Sequence, residues 1–410
     1  MTVSRISLKK IAPEQLFMGS VMLVNAGNYL YNLLLGRFLG PEVFAEAALL
    51  VTMLLMVSFI GMTFQIATTK FTVVLSGLER KAFLRKMMKL SLLLGVGGGS
   101  LILMLSDYMQ QLFKTSSSGM FFIFGFGIPI YFAMCVNRGF LQGRQQFGSL
   151  SITYQTEMWS RLLITLLLLL ILPWNPVLIV AVGIILSFLF GLIPIRKKDY
   201  APSSIVNLDP EVWGKARTFL ILTAGYELTQ ILINNTDVLL VKHFFEAKEA
   251  GLYASIALIG RVVYFVAWMF VMLLLPDVLQ KKKQGLDTRP VLMKYVSYIG
   301  IFSGAIVLGC YLFPELIISL MFGEAYLPAA GLLWRYALAT SLFALSNIFA
   351  YYFLSLERYT PVILSALLGV SQIVLILIFH TSLNLVIGVQ ILAMLALLVF
   401  QWIYYISHNQ

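Results

Sequence analysis

Continuous apolar stretches dominate this chain. Each runs for about twenty residues between charges, prolines or glycines, the length a helix needs to cross the hydrocarbon core of a bilayer. Twelve spans are expected: 16–35, 44–66, 88–106, 119–140, 150–172 and 176–194, then 217–240, 252–275, 292–313, 330–354, 361–380 and 384–405. The pair at 150–194 is separated only by the tight turn that Pro173 and Pro176 impose. Of the 410 residues, 60% are hydrophobic and only 11% charged. A soluble globular domain carries about 25% charged residues, so this chain cannot cover a water-facing surface. The fold class is therefore all-α, a polytopic membrane protein of about twelve transmembrane helices. A soluble enzyme, a secreted disulfide scaffold and a disordered chain are excluded. A transmembrane β-barrel would show short alternating segments instead.

The few special residues add little chemistry. Cys135 and Cys310 lie in apolar runs and read as buried thiols. His243, His380 and His408 are scattered and suggest no metal site. No cofactor is expected. Ser4 to Gln15 is a short basic lead-in that runs straight into a span, so no cleavable leader is read.

The net charge of +11 points to loop topology rather than to nucleic acid. Twenty of the 29 basic residues fall on the N-terminus and one set of alternate loops, including Arg80, Lys81, Arg85, Arg196 to Lys198, Lys281 to Lys283 and Arg358. The opposite set holds four: Arg37, Lys114, Lys242 and Lys248. Cytoplasmic loops carry the excess of Lys and Arg, so both termini are expected in the cytoplasm. The basic loops read as topology signals. A lipid-binding role for Lys281–Lys282–Lys283 stands beside that reading, because anionic headgroups attract such clusters.

The two halves resemble each other. LLLGRFLGPEVFAEAAL from Leu33 and LLVKHFFEAKEAGLYASIAL from Leu239 both carry a basic residue, a Phe, a short acidic turn and a new helix. IYFAMCVNRGFLQGRQQF from Ile130 and SLFALSNIFAYYFLSLERYT from Ser341 form a second pair. The offsets, about 206 and 213, argue for two pseudo-symmetric six-helix lobes, residues 1–195 and 217–410, joined by a cytoplasmic linker at 196–216. Chance likeness between apolar helices is the competing account. Six is even, so the lobes run in the same direction, related by an axis along the membrane normal. Two lobes around a central cavity are the plan of a transporter.

Polar residues inside spans are the candidate site, because an ionisable group at the bilayer centre costs about 2.5–3.5 kcal/mol on insertion scales. Asn25, Asn28 and Asn32 share one face of the first span, and Glu227, Gln230, Asn234 and Asp237 share one face of the seventh. Both stripes either face the cavity or bond across helices. Tyr154, Glu157 and Arg161 share a face of the fifth span, where Glu157 and Arg161 at i, i+4 form a structural pair or hold Arg161 toward a cavity. Arg261 sits well inside the eighth span with no acid in the midplane of its own helix. Arg161 and Arg261 are each about ten residues from either membrane face. A cationic midplane suits an anionic substrate. Arg138 is expected near the inner end of span four, and Lys70 and Arg335 are expected to snorkel. Gly97–Gly98–Gly99 reads as close helix packing or a bend, and Tyr351 and Tyr352 as an aromatic belt.

GRFLGPEVFA from Gly36, NNTDVLLVKHFFEAKEAGLYASIALIGR from Asn234 and FGEAYLPAAGLLW from Phe322 resemble stretches of the O-antigen-type polysaccharide-repeat flippases. These belong to the multidrug/oligosaccharidyl-lipid/polysaccharide superfamily. The resemblance covers most of the chain. It implies two six-helix lobes around a cavity that opens to alternate sides. The implied substrate is an oligosaccharide on a polyprenyl diphosphate, turned across a bacterial inner membrane for surface polysaccharide synthesis. It also implies cationic cavity residues, which Arg161 and Arg261 would supply. Membrane lipids and other polysaccharide-assembly proteins are the implied partners. The chain lacks the two extra C-terminal helices of the peptidoglycan-precursor relatives, which argues against a lipid II substrate.

Two further functions compete with this one. A drug or metabolite antiporter of the same superfamily, as a carrier of cations, would favour acidic cavity residues; Glu227 and Asp237 leave that open, but the midplane arginines argue against it. A membrane polysaccharide polymerase or ligase would need a large outer loop with catalytic groups, and every outer loop here is short. The chain is therefore expected not to be an enzyme.

Overall fold

The computed structural model describes residues 13–195, 208–356 and 358–407. Among them the backbone is almost wholly helical. Hydrocarbon offers no partner to a free N–H or C=O, and a helix satisfies these groups within its own segment. In chain order the helices are α1 (Pro13–Val74), α2 (Gly77–Met104), α3 (Ser106–Phe113), α4 (Gly119–Gly143), α5 (Phe147–Ile171) and α6 (Pro176–Gly191). They continue with α7 (Pro210–Phe244), α8 (Ala247–Lys283), α9 (Arg289–Leu312), α10 (Pro314–Met321), a 3-10 turn (Glu324–Ala329), α11 (Ala330–Ser355), α12 (Tyr359–Ile378) and α13 (Leu383–Ser407). A helix lies over each of the twelve expected spans. Seven of the described helices are long and apolar enough to cross a membrane by length and composition. Residues 196–207, most of the expected linker, lie outside the described residues.

Several details differ from the sequence reading. The first two spans are joined without a loop: α1 is 62 residues long and changes direction at Gly40, whose φ of 70° and ψ of 171° only glycine adopts readily, followed by Pro41. The turn between α5 and α6 closes because the Asn175 side chain accepts from the Val177 N–H while Pro176 opens the next helix. Of the glycine run in α2, Gly97 and Gly98 face open space. The close approach is made by Gly95 and Gly99, one turn apart, against Pro129 and Gly125 of α4. Tyr352 is no belt residue; it is 1% exposed and shares a hydroxyl hydrogen bond with Thr288. Lys70 lies over the Phe219 ring, 3.9 Å from its centroid.

The chain forms two compact units. Unit 1 contains residues 1–31, 57–111 and 116–227, and unit 2 contains 32–56, 112–115 and 228–410. The last turn of α1's first span, the bend at Gly40 and the first half of its second span therefore pack with residues from the C-terminal half. Unit 1 holds α4 against both α2 and α6, and α5 against α6. Unit 2 is centred on α11, which packs on α8, α9 and α13. Its core includes Val263, Leu274, Leu292, Ile299, Ile348 and Phe353, all at most 1% exposed.

The kink supplies a test. Gly40→Ala forces a Cβ into a backbone region that is nearly glycine-only, which costs about 1–3 kcal/mol. The purified variant should melt several degrees below the parent in a detergent thermal-shift assay. Gly19→Ala, which meets nothing within 4 Å of the added Cβ, should leave the midpoint unchanged.

Candidate functional site

Each unit buries arginine. In unit 1 the polar face of α5 is Thr153, Glu157, Arg161 and Thr165, spaced four apart, so all four lie along one side of the helix. Facing it, α6 presents Gly183, Ser187 and Gly191 at the same spacing. A Cβ on Gly183 would collide with Thr165, and one on Gly191 would press on the Glu157 Cβ. The small residues let the polar face pack closely, and Ser187 accepts from Arg161 Nε at 3.4 Å.

Glu157 is shared between two guanidiniums. Arg161 Nη2 donates to Oε1 of the same carboxylate that receives Arg138 Nη2 on Oε2, the latter at 2.7 Å. Arg138 also donates to the hydroxyl and the carbonyl of Thr153, at 3.1 and 2.8 Å. Its guanidinium lies 3.9 Å over the Tyr154 ring, and that phenol bonds Gln65. Relative exposure is 4% for Arg138, 9% for Glu157 and 8% for Arg161. Arg138, near the inner end of its span, is thus a full member of the buried cluster. Among the described residues no second carboxylate contacts the two arginines. The cluster holds one positive charge in excess.

Unit 2 is balanced instead. Arg261 of α8, lacking an acid on its own helix, is paired by the neighbouring helix: its Nη2 lies 3.2 Å from Asp237 Oδ1 of α7. Its Nη1 reaches the Asn235 side chain at 3.4 Å. The other carboxylate oxygen accepts from the hydroxyls of Tyr253 and Tyr336, at 2.9 and 2.7 Å. Gln390 of α13 donates to the Tyr253 oxygen at 2.8 Å. Gly260 gives the Tyr336 ring room to approach α8. The Asp237 side chain is 3% exposed and that of Arg261 15%, and among the described residues Arg261 Nε has no hydrogen-bond partner. Beside the pair lies a cavity of about 30 Å³, lined by Asn234, Thr340, Gln372 and Gln390 among others. That is room for about one water.

The remaining candidates are less gathered. Asn25 is exposed and Asn28 half-buried in unit 1, while Asn32 is half-buried in unit 2. The asparagine stripe therefore spans the boundary between units. Glu227, half-buried, is the last residue of unit 1. Asn234 and Asp237 both line the small cavity. The Gln230 side chain lies outside the described residues. The i, i+4 spacing of Glu157 and Arg161 was legible in the sequence. The roles of Arg138 and Tyr336 were not, because both come from other helices.

No family model and no curated protein matches the sequence. Solved structures do match. The lipid II flippase MurJ in an inward closed conformation superposes with a TM-score of 0.76 at 15% identity, over 96% of this chain and 87% of that one. An inward-facing multidrug resistance MATE family transporter of the MOP superfamily gives 0.74 at 14% identity, over 93% of each chain. A MOP superfamily transporter from Pyrococcus furiosus, described as having a binding pocket of reverse polarity, gives 0.61 at 14%, over 96% of this chain and 92% of that one. The chain has the two-lobed helical fold of these multi-pass membrane transporters.

The clusters predict unequal mutant effects. Arg161→Met leaves a one-to-one Arg138–Glu157 pair and should keep the fold. Glu157→Gln leaves two buried guanidiniums without a counter-charge, and removing one partner of a buried pair costs about 3–5 kcal/mol. It should accumulate poorly and melt early. In unit 2, Arg261→Met strands Asp237 and should be equally damaging. The Asp237→Asn/Arg261→Met double variant should recover most of the thermal stability.

Proposed function

We propose that this chain carries polyprenyl-diphosphate-linked oligosaccharide across the bacterial inner membrane by alternating access, for surface polysaccharide biosynthesis. The observation that carries this reading is the uncompensated positive charge of Arg138, Glu157 and Arg161. Across the two clusters the buried Arg138 and Arg161 and the partly buried Arg261 meet two carboxylates. A diphosphate supplies the missing negative charge, and a guanidinium binds phosphate oxygens in a two-pronged fork. The likeness to a lipid II flippase supports a lipid-linked substrate. The excess of basic residues on alternate loops supports cytoplasmic termini, which puts the Arg37 and Lys242 ends of α1 and α7 on the periplasmic side. Arg161, Arg261, Asn25, Asn28, Asn32, Glu227, Gln230, Asn234 and Asp237 are the residues assigned to the substrate. Membrane lipids and other polysaccharide-assembly proteins are the partners. The chain acts as a carrier and not as an enzyme.

A second reading has its own support. The MATE likeness and the half-buried Glu227 favour a drug or metabolite antiporter. The two readings differ in the sign of the cargo, and the surplus guanidinium argues for an anion.

Deleting the gene should abolish surface glycan while its lipid-linked precursor accumulates on the cytoplasmic face. Arg161→Met should insert and fold yet fail to complement, whereas Arg161→Lys should restore part of the activity. Normal surface glycan in a deletion strain with no redundant carrier would overturn the reading. Altered drug resistance in its place would favour the antiporter.

A further inference from the structure

The three sequence stretches that resemble flippases meet in one place in unit 2. Gly36 to Ala45 comes from α1, Lys242 to Gly251 from the α7–α8 turn, and Phe322 to Tyr326 from the segment after α10. Phe44, Phe322 and Tyr326 form a buried aromatic trio with centroids 5.1 to 6.2 Å apart. The Tyr326 hydroxyl donates to the Gly36 carbonyl at 2.7 Å. A Cβ on Gly36 would collide with the Phe322 ring, and one on Gly251 with the Pro41 carbonyl.

Around this seam two contacts of one kind recur. The short helices α3 and α10 start and end 208 residues apart, within the range of offsets that relate the two halves of the sequence. Each presents carbonyls at its C-terminal end, which carry partial negative charge and lack helical partners. Arg37 Nη1 donates to the Leu320 carbonyl of α10 at 3.0 Å. Its sequence counterparts are Lys242 and His243. His243 Nδ1 lies 2.6 Å from the Leu112 carbonyl of α3, and Lys242 Nζ lies 3.5 Å from the Lys114 carbonyl just beyond it. Lys242 is 2% exposed, with Glu46 close enough to act on it electrostatically. The cation that ends the first span of each half thus caps the short helix of the other half.

We propose that Arg37 on one side, and Lys242 with His243 on the other, form a paired latch that holds the α1 bend, the α7–α8 turn and the segment after α10 together and must release for these segments to part. The proposal rests on the alternating-access reading above, but not on the identity of the cargo. Arg37 and His243 each meet a carbonyl at a short helix's C-terminal end, Lys242 meets the carbonyl just beyond one, and hydrogen bonds of this kind are reversible. The duplication supplies it twice, so both contacts must break together.

The test uses a Cys135→Ala/Cys310→Ala background carrying Ala250→Cys, which is 4% exposed beside the Gly251–Pro41 contact. A membrane-impermeant maleimide is applied to intact cells, to inverted vesicles and to protein in detergent. Arg37→Ala, and separately Lys242→Ala/His243→Ala, should each raise the labelling rate several-fold, and the triple variant more than either. Arg37→Lys keeps a cationic donor and should label close to the parental rate. Because Arg37 is exposed, its variants read out the latch even if the Lys242 variants fold poorly. The proposal is overturned if Arg37→Ala labels at the parental rate in detergent while Lys248→Cys, exposed in the same turn, labels freely. Faster labelling in inverted vesicles but not in cells would uphold the latch and overturn the assigned orientation.

Discussion

A charge inside hydrocarbon must be met by another charge or by a dense set of hydrogen bonds, and both units are arranged around that demand. In unit 1 one carboxylate, Glu157, is divided between Arg138 and Arg161. Two glycines and a serine on α6 exist at the spacing that lets this polar face pack. In unit 2 Asp237 is surrounded by Arg261, Tyr253 and Tyr336, and Gln390 extends the network to α13. The aliphatic cores fill the space around these contacts. Hydrophobicity places the helices in the membrane, but it does not distinguish one apolar neighbour from another. The polar networks, which allow only one set of partners, define which helices adjoin.

The two networks differ in charge, and that difference carries the functional reading. A balanced pair such as Asp237–Arg261 has its electrostatic needs met within the protein. The Arg138–Glu157–Arg161 cluster has not. A buried surplus of positive charge is stable only where water or an anion reaches it. A carrier of a phosphorylated lipid brings such an anion in each cycle, and the same surplus would repel a cationic drug. Hydrogen bonds from Arg138 Nε to Thr153 and from Arg161 Nε to Ser187 keep the two forks oriented meanwhile.

The likeness between the two halves of the sequence has a structural counterpart. Residues 32–56 come from the first half of the sequence and pack with the second. The exchange is made possible by Gly40 and Pro41, which redirect α1 without a loop, and by glycines at 36 and 251 that admit a neighbour's ring or backbone. The stretches with the most distinctive sequence are therefore those that join segments far apart in the chain. Their conservation of pattern between halves matches the recurrence of a cation against a helix end.

The sequence by itself determined the all-helical membrane class, the approximate place of the twelve helices and the i, i+4 pair of Glu157 and Arg161. These follow from local rules: span length, charge-bounded apolar runs and helical spacing act within a few turns of chain. Tertiary structure decided which charges neutralise which. Arg138 read only as a residue near the inner end of its span, and Arg261 as one with no acid on its own helix, because their partners, Glu157 and Asp237, lie on other helices, 19 and 24 residues away. It also decided that Gly95 and Gly99, rather than the adjacent triplet, touch α4. The asparagine stripe is continuous along the helix, yet it runs across two packing units. Helical spacing tells which residues share a face. What that face meets depends on the rotation and depth of neighbouring helices, and in an apolar sequence many of these are equally hydrophobic until the polar contacts choose among them.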